Sequence, residues 1–392
     1  MARLPDGDPP PPDGRLPAGR SSRPLGVYVH VPYCAARCGY CDFNTYVAGA
    51  EERSTWSAAA VAEVALAARV LGDGPPVETV FFGGGTPTLL APEDLLAVLD
   101  AVRERLGLAE NAEVTVEANP ESVSPTSLAA LRAGGMTRIS LGMQSAAPHV
   151  LATLDRRHTP GRAVAAAREA REAGFAHVSL DLMFGTPGES DADWDASLDA
   201  ALSAAPDHVS LYGLILEPGT RLTAQVRRGA VADLDDGAME RRYARADERL
   251  RAAGFAWYEL ANWAREPAAR CRHNLGYWRG DDWWGIGPGA HSHVGGVRWW
   301  NRLRPQAWRD ALAAGRSPAA GRELLGDAAQ RLETVMLGVR MADGVALRDG
   351  ELASADELAR RGLLDTGALA RGRAVLTLPG RLMADAVTRE LV

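Results

Sequence analysis

Three cysteines, Cys34, Cys38 and Cys41, fall within eight residues in the stretch HVPYCAARCGYCDFNTY, residues 30–46. Iron–sulfur clusters are held by thiolates, and three of them on a cubane leave one iron without a protein ligand. An open metal position is where a small molecule binds, whereas a structural site is closed. Zinc loops present their cysteines as C-x-x-C pairs, so a structural zinc here would need His30 or Cys271 to complete it. With four cysteines in 392 residues, a disulfide framework is excluded. A second motif, Gly83-Gly84-Gly85-Thr86-Pro87, follows an apolar run, and its missing side chains let another group approach the backbone closely.

Such residues need a scaffold that brings them to one place. From Leu25 onward, short β-branched runs alternate with longer Ala/Leu/Arg/Glu stretches, the pattern of repeated βα units around a parallel sheet. Strands are predicted near 26–31, 77–82, 113–117, 137–142, 177–183 and 207–214, with helices near 51–71, 92–105, 125–133, 160–173 and 190–204. Pro92, Pro125 and Pro160 stand at or near first helical turns, where a missing N–H costs nothing. The predicted fold class is α/β, a partial (βα)6 TIM-like barrel with a smaller, mainly helical C-terminal domain. In such barrels functional residues gather at the C-terminal ends of the strands. Here those ends carry Cys34, the glycine motif, Glu117, Gln144, Asp181 and Tyr212.

The remaining chain divides by composition. Residues 1–24 hold the run Pro9 to Pro12 and almost nothing to bury, and are predicted to be disordered. Residues 25–230 form the βα core, and 231–308 a Trp/Gly-rich extension in which 257–308 holds eight of the ten tryptophans. Residues 309–392 form the small C-terminal domain, read as helical over RELLGDAAQRLETVMLGVRM with a hairpin near the end.

A net charge of −7 excludes nucleic-acid binding through a broad basic face. No residue is lysine, so all 43 basic residues are arginine, and Schiff-base or Walker-type lysine chemistry is excluded. The N-terminus lacks an apolar signal region and no run of 18 apolar residues follows. The expectation is a cytoplasmic protein with no transmembrane segment, its membrane association at most transient.

The cysteine spacing, with an aromatic residue before the last cysteine, resembles the radical-SAM superfamily. Within it, HVPYCAARCGYCDFNTY, FFGGGTPTLL (81–90), TVEANPES (115–122), RISLGMQS (138–145), DLMFGTPGES (181–190) and HNLGYWRGDDWWGIGPGAHS (273–292) resemble the oxygen-independent coproporphyrinogen dehydrogenase (HemN-like) family and its haem-chaperone members. The likeness runs from about residue 25 to past residue 340. It implies a 4Fe–4S cluster on Cys34, Cys38 and Cys41, with S-adenosylmethionine beside it. Tyr28 and Tyr40 would flank that cofactor and Gly84, Gly85 and Thr86 would hold its methionine end. Glu117, Gln144, Arg156 and Asp181 would contact its amino-acid, ribose or carboxylate groups, as hydrogen-bonding chemistry allows.

The dehydrogenases carry a fourth cysteine two residues after the third, where this chain has Phe43, and a longer folded segment ahead of the loop. Both departures point toward the haem chaperones, whose H-N-x-x-Y-W element is matched by His273-Asn274-Leu275-Gly276-Tyr277-Trp278. By that resemblance His273 would be an axial ligand of haem iron, with Cys271, His291 and His293 as secondary candidates and the tryptophans covering the macrocycle. The cargo would be haem and the acceptors haem-requiring proteins such as respiratory cytochromes. A radical-SAM coproporphyrinogen dehydrogenase, or a related tetrapyrrole-modifying enzyme, stands as the alternative.

Overall fold

The computed structural model describes residues 5–17, 21–156 and 159–392. Six parallel strands run side by side in chain order: β1 (Leu25–Val31), β2 (Val77–Gly84), β3 (Leu108–Ala118), β4 (Arg138–Gln144), β5 (His177–Phe184) and β6 (His208–Gly213). Each is followed by helix at the predicted places, among them Trp56–Leu71, Pro92–Arg105, Pro125–Ala133, Arg162–Glu172 and Asp191–Ser203. Pro92 and Pro125 occupy first turns, and Ser124 and Ser190 close capping boxes that satisfy orphan N–H groups.

Alternation along the strands separates two environments. Val27, Val29, Val31, Val80, Phe82, Val114, Val116, Ile139, Leu141, Leu180 and Leu211 are buried in one continuous apolar cluster with the helices. The intervening positions are mostly polar: Thr79, Glu113, Thr115, Arg138, Ser140, Ser179, Asp181, His208 and Ser210. The sheet is therefore oily where helices cover it and polar on the face it curls around, over the whole depth of the strands.

The 231–308 extension is part of the same sheet. β7 (Ala256–Glu259) and β8 (Asn262–Ala264) add antiparallel strands beyond β6. β9 (Asp282–Ile286) pairs in parallel with β1, placing Leu25 opposite Asp282. β10 (His291–Val294), β11 (Val297–Asn301) and β12 (Ala319–Leu324) continue the sheet antiparallel. The predicted fading of the βα rhythm missed that one more parallel strand follows the short helix Arg272–Arg279.

The helix Trp56–Leu71 is tied to this extension by Glu63, a buried carboxylate. Its two oxygens accept from the Gly287 N–H at 2.8 Å, Trp308 Nε1 at 2.7 Å and Asn301 Nδ2 at 2.7 Å. The helical run Ala50–Leu71 is, among the described residues, the one stretch long and apolar enough to cross a membrane by length and composition. It lies against the Pro92–Arg105 and Pro305–Ala313 helices and β9, with Trp56, Ala60, Val64 and Ala67 buried.

Three local expectations need correcting. Part of the N-terminal segment predicted to be disordered is bound: Asp8 exchanges backbone hydrogen bonds with Arg322, Ser317 N donates to the Pro12 carbonyl, and Leu16 packs on the main core. Proline has no N–H to leave unpaired, so such a strap covers tryptophan at little polar cost. The residues around Arg322-Glu323-Leu324 form strand β12 rather than the start of a helix, because β11 offers an open edge; the helix spans Asp327–Gly338. No local hairpin forms near the end either: Arg373–Ala374 pairs with Val345–Ala346, and Thr377 caps a helical turn at Leu378–Leu382. This last part has its own core of Val335, Val339, Leu358, Leu364, Leu376 and Val387.

Candidate functional site

The cysteine loop leaves β1 at Val31 and is pinned at both ends: Cys34 N–H donates to the Tyr46 carbonyl and Tyr46 N–H to that of Pro32. In between, Gly39 donates to Leu154 and accepts from Leu222 N–H, so the loop is stitched to the strand-end segments after β4 and β6. All three thiols are partly accessible. Thr86 Oγ1 lies 3.8 Å from Cys34 Sγ and Arg156 Nη1 3.4 Å from Cys38 Sγ, both as donors. Burial pushes the Cys34 and Cys41 thiols up, opposed at Cys34 by the Thr86 hydrogen bond and at Cys41 by a backbone hydrogen bond from Phe43. Among the described residues no three His, Cys, Asp or Glu side chains converge on a single ion. A cubane does not ask them to, since each thiolate binds a different iron. The donor set, soft sulfur on a backbone-fixed loop with hydrogen bonds to two sulfurs, fits such a cluster.

The glycine motif owes its composition to β1. Gly85 N–H donates to the Val31 carbonyl at 2.8 Å and Thr86 N–H to that of Tyr33 at 2.7 Å. A Cβ on Gly85 would lie 2.5 Å from the Tyr33 oxygen, and one on Gly84 2.3 Å from His30 Nδ1. His30, whose ring bonds Tyr28 OH and the Asn44 carbonyl, faces these glycines and not the cysteines. Room for the ring of His30 and the 31–33 backbone thus explains Gly84 and Gly85 without any ligand.

Two groups of expected residues are brought together. In the lumen, Glu117 Oε2 accepts the Gly84 N–H at 3.0 Å, and Asp181 accepts from Ser140 Oγ at 2.8 and 2.9 Å and from Ser179 Oγ at 3.3 Å. Burial, reinforced by Glu117, pushes the Tyr28 phenol up. At the rim, Arg156 bridges Cys38 and the Gly142 carbonyl, and Tyr40 packs with Leu154, Met183 and Leu222 beside them. Gln144 closes β4 with φ +65, a left-handed conformation that turns a buried amide side chain at a register shift. Tyr212, at the end of β6, keeps 45% of its surface, while burial of the phenol end and then the neighbouring Asp181 push its pKa up.

Burial, then the neighbouring Asp181, pushes Glu117 up to about 7, with the Gly84 N–H opposing. Folded protein therefore holds this proton more tightly than unfolded chain between the ordinary carboxylate range and pH 7. Its contribution to stability is full below that window, falls by up to ~3 kcal/mol as pH rises through it, and is flat above. Glu117→Gln should remove this share of the slope between pH 5 and pH 8 in urea unfolding; an unchanged slope would place the titration elsewhere, Glu63 and Glu189 being raised to about 7 and Glu259 to about 8, each chiefly by burial.

His273 lies at the opposite end of the strands. The helix Arg272–Arg279 plugs the barrel floor, with Glu113 accepting the N–H groups of Arg272 and His273 at 3.0 Å each. The His273 ring is 3% exposed. Its Nδ1 is 2.8 Å from Thr79 Oγ1 and its Nε2 2.9 Å from Tyr277 OH, and burial alone lowers its pKa to about 3. Both nitrogens of the expected iron ligand are thus engaged by protein, and the open space beside it amounts to ≈ 90 Å³. Cys271 is likewise buried, its thiol directed at Glu113. The floor residues Thr79, Glu113 and His208 escaped sequence reasoning, although their signal was present: β3 reads Glu113-Val114-Thr115-Val116-Glu117, polar at alternate positions, where a strand buried on both faces reads as continuously apolar.

Comparison with known proteins follows the same outline. Residues 28–201 match the radical SAM superfamily. Heme chaperone HemW of Mycobacterium tuberculosis is 53% identical over 376 residues, 94% of this chain and 95% of that one. The chain belongs to the HemW family. Heme chaperone HemW of Bacillus subtilis is 31% identical over 92% of this chain and 97% of its own. The structure of Escherichia coli coproporphyrinogen III oxidase, HemN, superposes with a TM-score of 0.81 at 22% identity, covering 97% of this chain and 91% of that one, which shows a shared fold. In this HemW family member the place of the dehydrogenases' fourth cysteine is taken by Phe43, 60% exposed on the cysteine loop.

Proposed function

We propose that this chain binds haem and delivers it to haem-requiring proteins, respiratory cytochromes among them, in the cytoplasm, and carries a 4Fe–4S cluster and S-adenosylmethionine. The observation that carries the reading is 53% identity over nearly the whole length of a heme chaperone, floor helix and Trp-rich strands included. Cys34, Cys38 and Cys41 would hold the cluster, which when bound supplies an open iron site and an electron. Thr86 and Arg156 would stabilise thiolate sulfur by donating to it, as their positions allow. Glu117 fixes the Gly84 backbone, and with Gln144 and Asp181 offers the lumen acceptors for an adenosyl ligand. Tyr28 and Tyr40 would border that ligand from the lumen and from the rim.

Anaerobic reconstitution followed by iron, sulfide and haem quantitation on one sample tests the reading. The expected result is about four irons per chain together with a Soret band of bound haem, and no conversion of coproporphyrinogen under reducing, oxygen-free conditions. Conversion without haem binding would defeat it in favour of a dehydrogenase.

A further inference from the structure

If haem is the cargo, a seat for it must admit a rigid, largely apolar disc, present one ligand atom to iron and meet two carboxylates at its edge. Binding sites for molecules of this size enclose about 300–1,000 Å³. The space beside His273 is too small by that measure. A cleft of ≈ 740 Å³ opens between the helix Asp327–Gly338 and the ends of β9 and β10 in the main sheet. Its walls include Trp278, Leu325, Leu337, Met341 and Val345, so the tryptophan of the H-N-x-x-Y-W element faces this cleft while its histidine does not.

His293 on β10 lines the same cleft and is half-buried. Its Nδ1 lies 3.3 Å from the Asp281 carbonyl, which can only accept, so the proton sits on Nδ1 and the lone pair on Nε2. No hydrogen-bond partner for Nε2 occurs among the described residues. An imidazole whose outer nitrogen donates to a carbonyl is the usual arrangement of a metal-ligating histidine. Its ring is held by Trp283 at 5.1 Å between centroids. Burial lowers its pKa, keeping it neutral.

Charge at the cleft is also suited to a dianion. Arg23 donates to the Gly280 carbonyl, and Arg373 to those of Asp343 and Gly344, and among the described residues neither is held in an ion pair. Arg279 is exposed at the same rim, with Asp281 within electrostatic reach. The acidic Glu333 is already committed to Arg298 at 2.7 Å, and Asp282 accepts from Ser21 and Gly295.

We infer that haem seats in the cleft between the Asp327–Gly338 helix and β10, with His293 Nε2 as axial ligand and Arg23, Arg279 and Arg373 receiving the propionates. The inference rests on the haem-chaperone reading. It assigns His273 a structural role: tying the floor helix to β2 through Thr79.

Ferric haem titrated into the full-length protein and followed at the Soret band tests the assignment. His293→Gly should weaken binding tenfold or more and change the Soret position, and added imidazole should restore both, which loss of a merely structural contact would not show. Arg279→Glu, at an exposed position, should weaken binding several-fold in a salt-dependent way while circular dichroism stays that of the wild type. His273→Ala, where it stays folded by circular dichroism, should keep the wild-type Soret. Wild-type binding that survives His293→Gly unchanged but disappears in folded His273→Ala would overturn the cleft and leave the haem reading standing. Wild-type protein that binds no haem would remove both.

Discussion

Cys38→Ser should leave a folded chain that no longer retains iron. Cys38 is partly accessible, and Arg156 approaches its sulfur at 3.4 Å from the rim, so the fold loses little with the thiol. A cubane held by three protein thiolates has none to spare. Changes one shell further out already cost about 10–100-fold in metal affinity, so removal of a ligand should cost at least that. Iron and acid-labile sulfide per chain after oxygen-free reconstitution are the measurement, with the melting temperature of the iron-free protein as control. Undiminished iron with an unchanged melting temperature would mean that Cys38 is not a ligand.

Gly84→Ala should act by the opposite route, damaging the fold first and the site in consequence. Gly84 has φ +105, a conformation that costs an L-residue about 1–3 kcal/mol. The added methyl would also sit 2.3 Å from His30 Nδ1, on a ring fixed by Tyr28 and Asn44 that has nowhere to rotate. Overpacking of this kind adds about 1–3 kcal/mol. The sum, about 2–6 kcal/mol, is a large share of a domain's stability. A urea midpoint shift corresponding to less than about 1 kcal/mol would show that the loop relaxes around the methyl group.

The parallel core was legible because its strands are separated by helices with their own stop and start signals. Strand by strand, the predicted spans and the observed ones differ by a few residues, as at 113–117 against Leu108–Ala118. Cys34, Cys38 and Cys41 were legible for a different reason: local spacing alone places them on one loop. What chain order could not convey is depth. Tyr28 and His273 were both expected to meet bound cofactors, yet one lies in the lumen and the other on the floor, their rings 6.4 Å apart. The role expected of His273 came from its motif, whereas its actual neighbours, Thr79 and Glu113, come from strands 194 and 160 residues earlier. The pairing of β9 with β1 was hidden in the same way, since nothing near Asp282 announces a partner at Leu25.

That pairing constrains how the molecule is made. On a ribosome, β1 emerges early and gains β2 within some fifty residues, but its other edge stays unpaired until nearly three-quarters of the polypeptide has been synthesised. Long-range strand pairing of this kind is slow, and an uncovered valine-rich edge in a nascent chain is a template for aggregation. A chain stopped short of Ile286 would keep every cysteine of the cluster loop and still present that open edge, so the cofactor-binding half is not a detachable module.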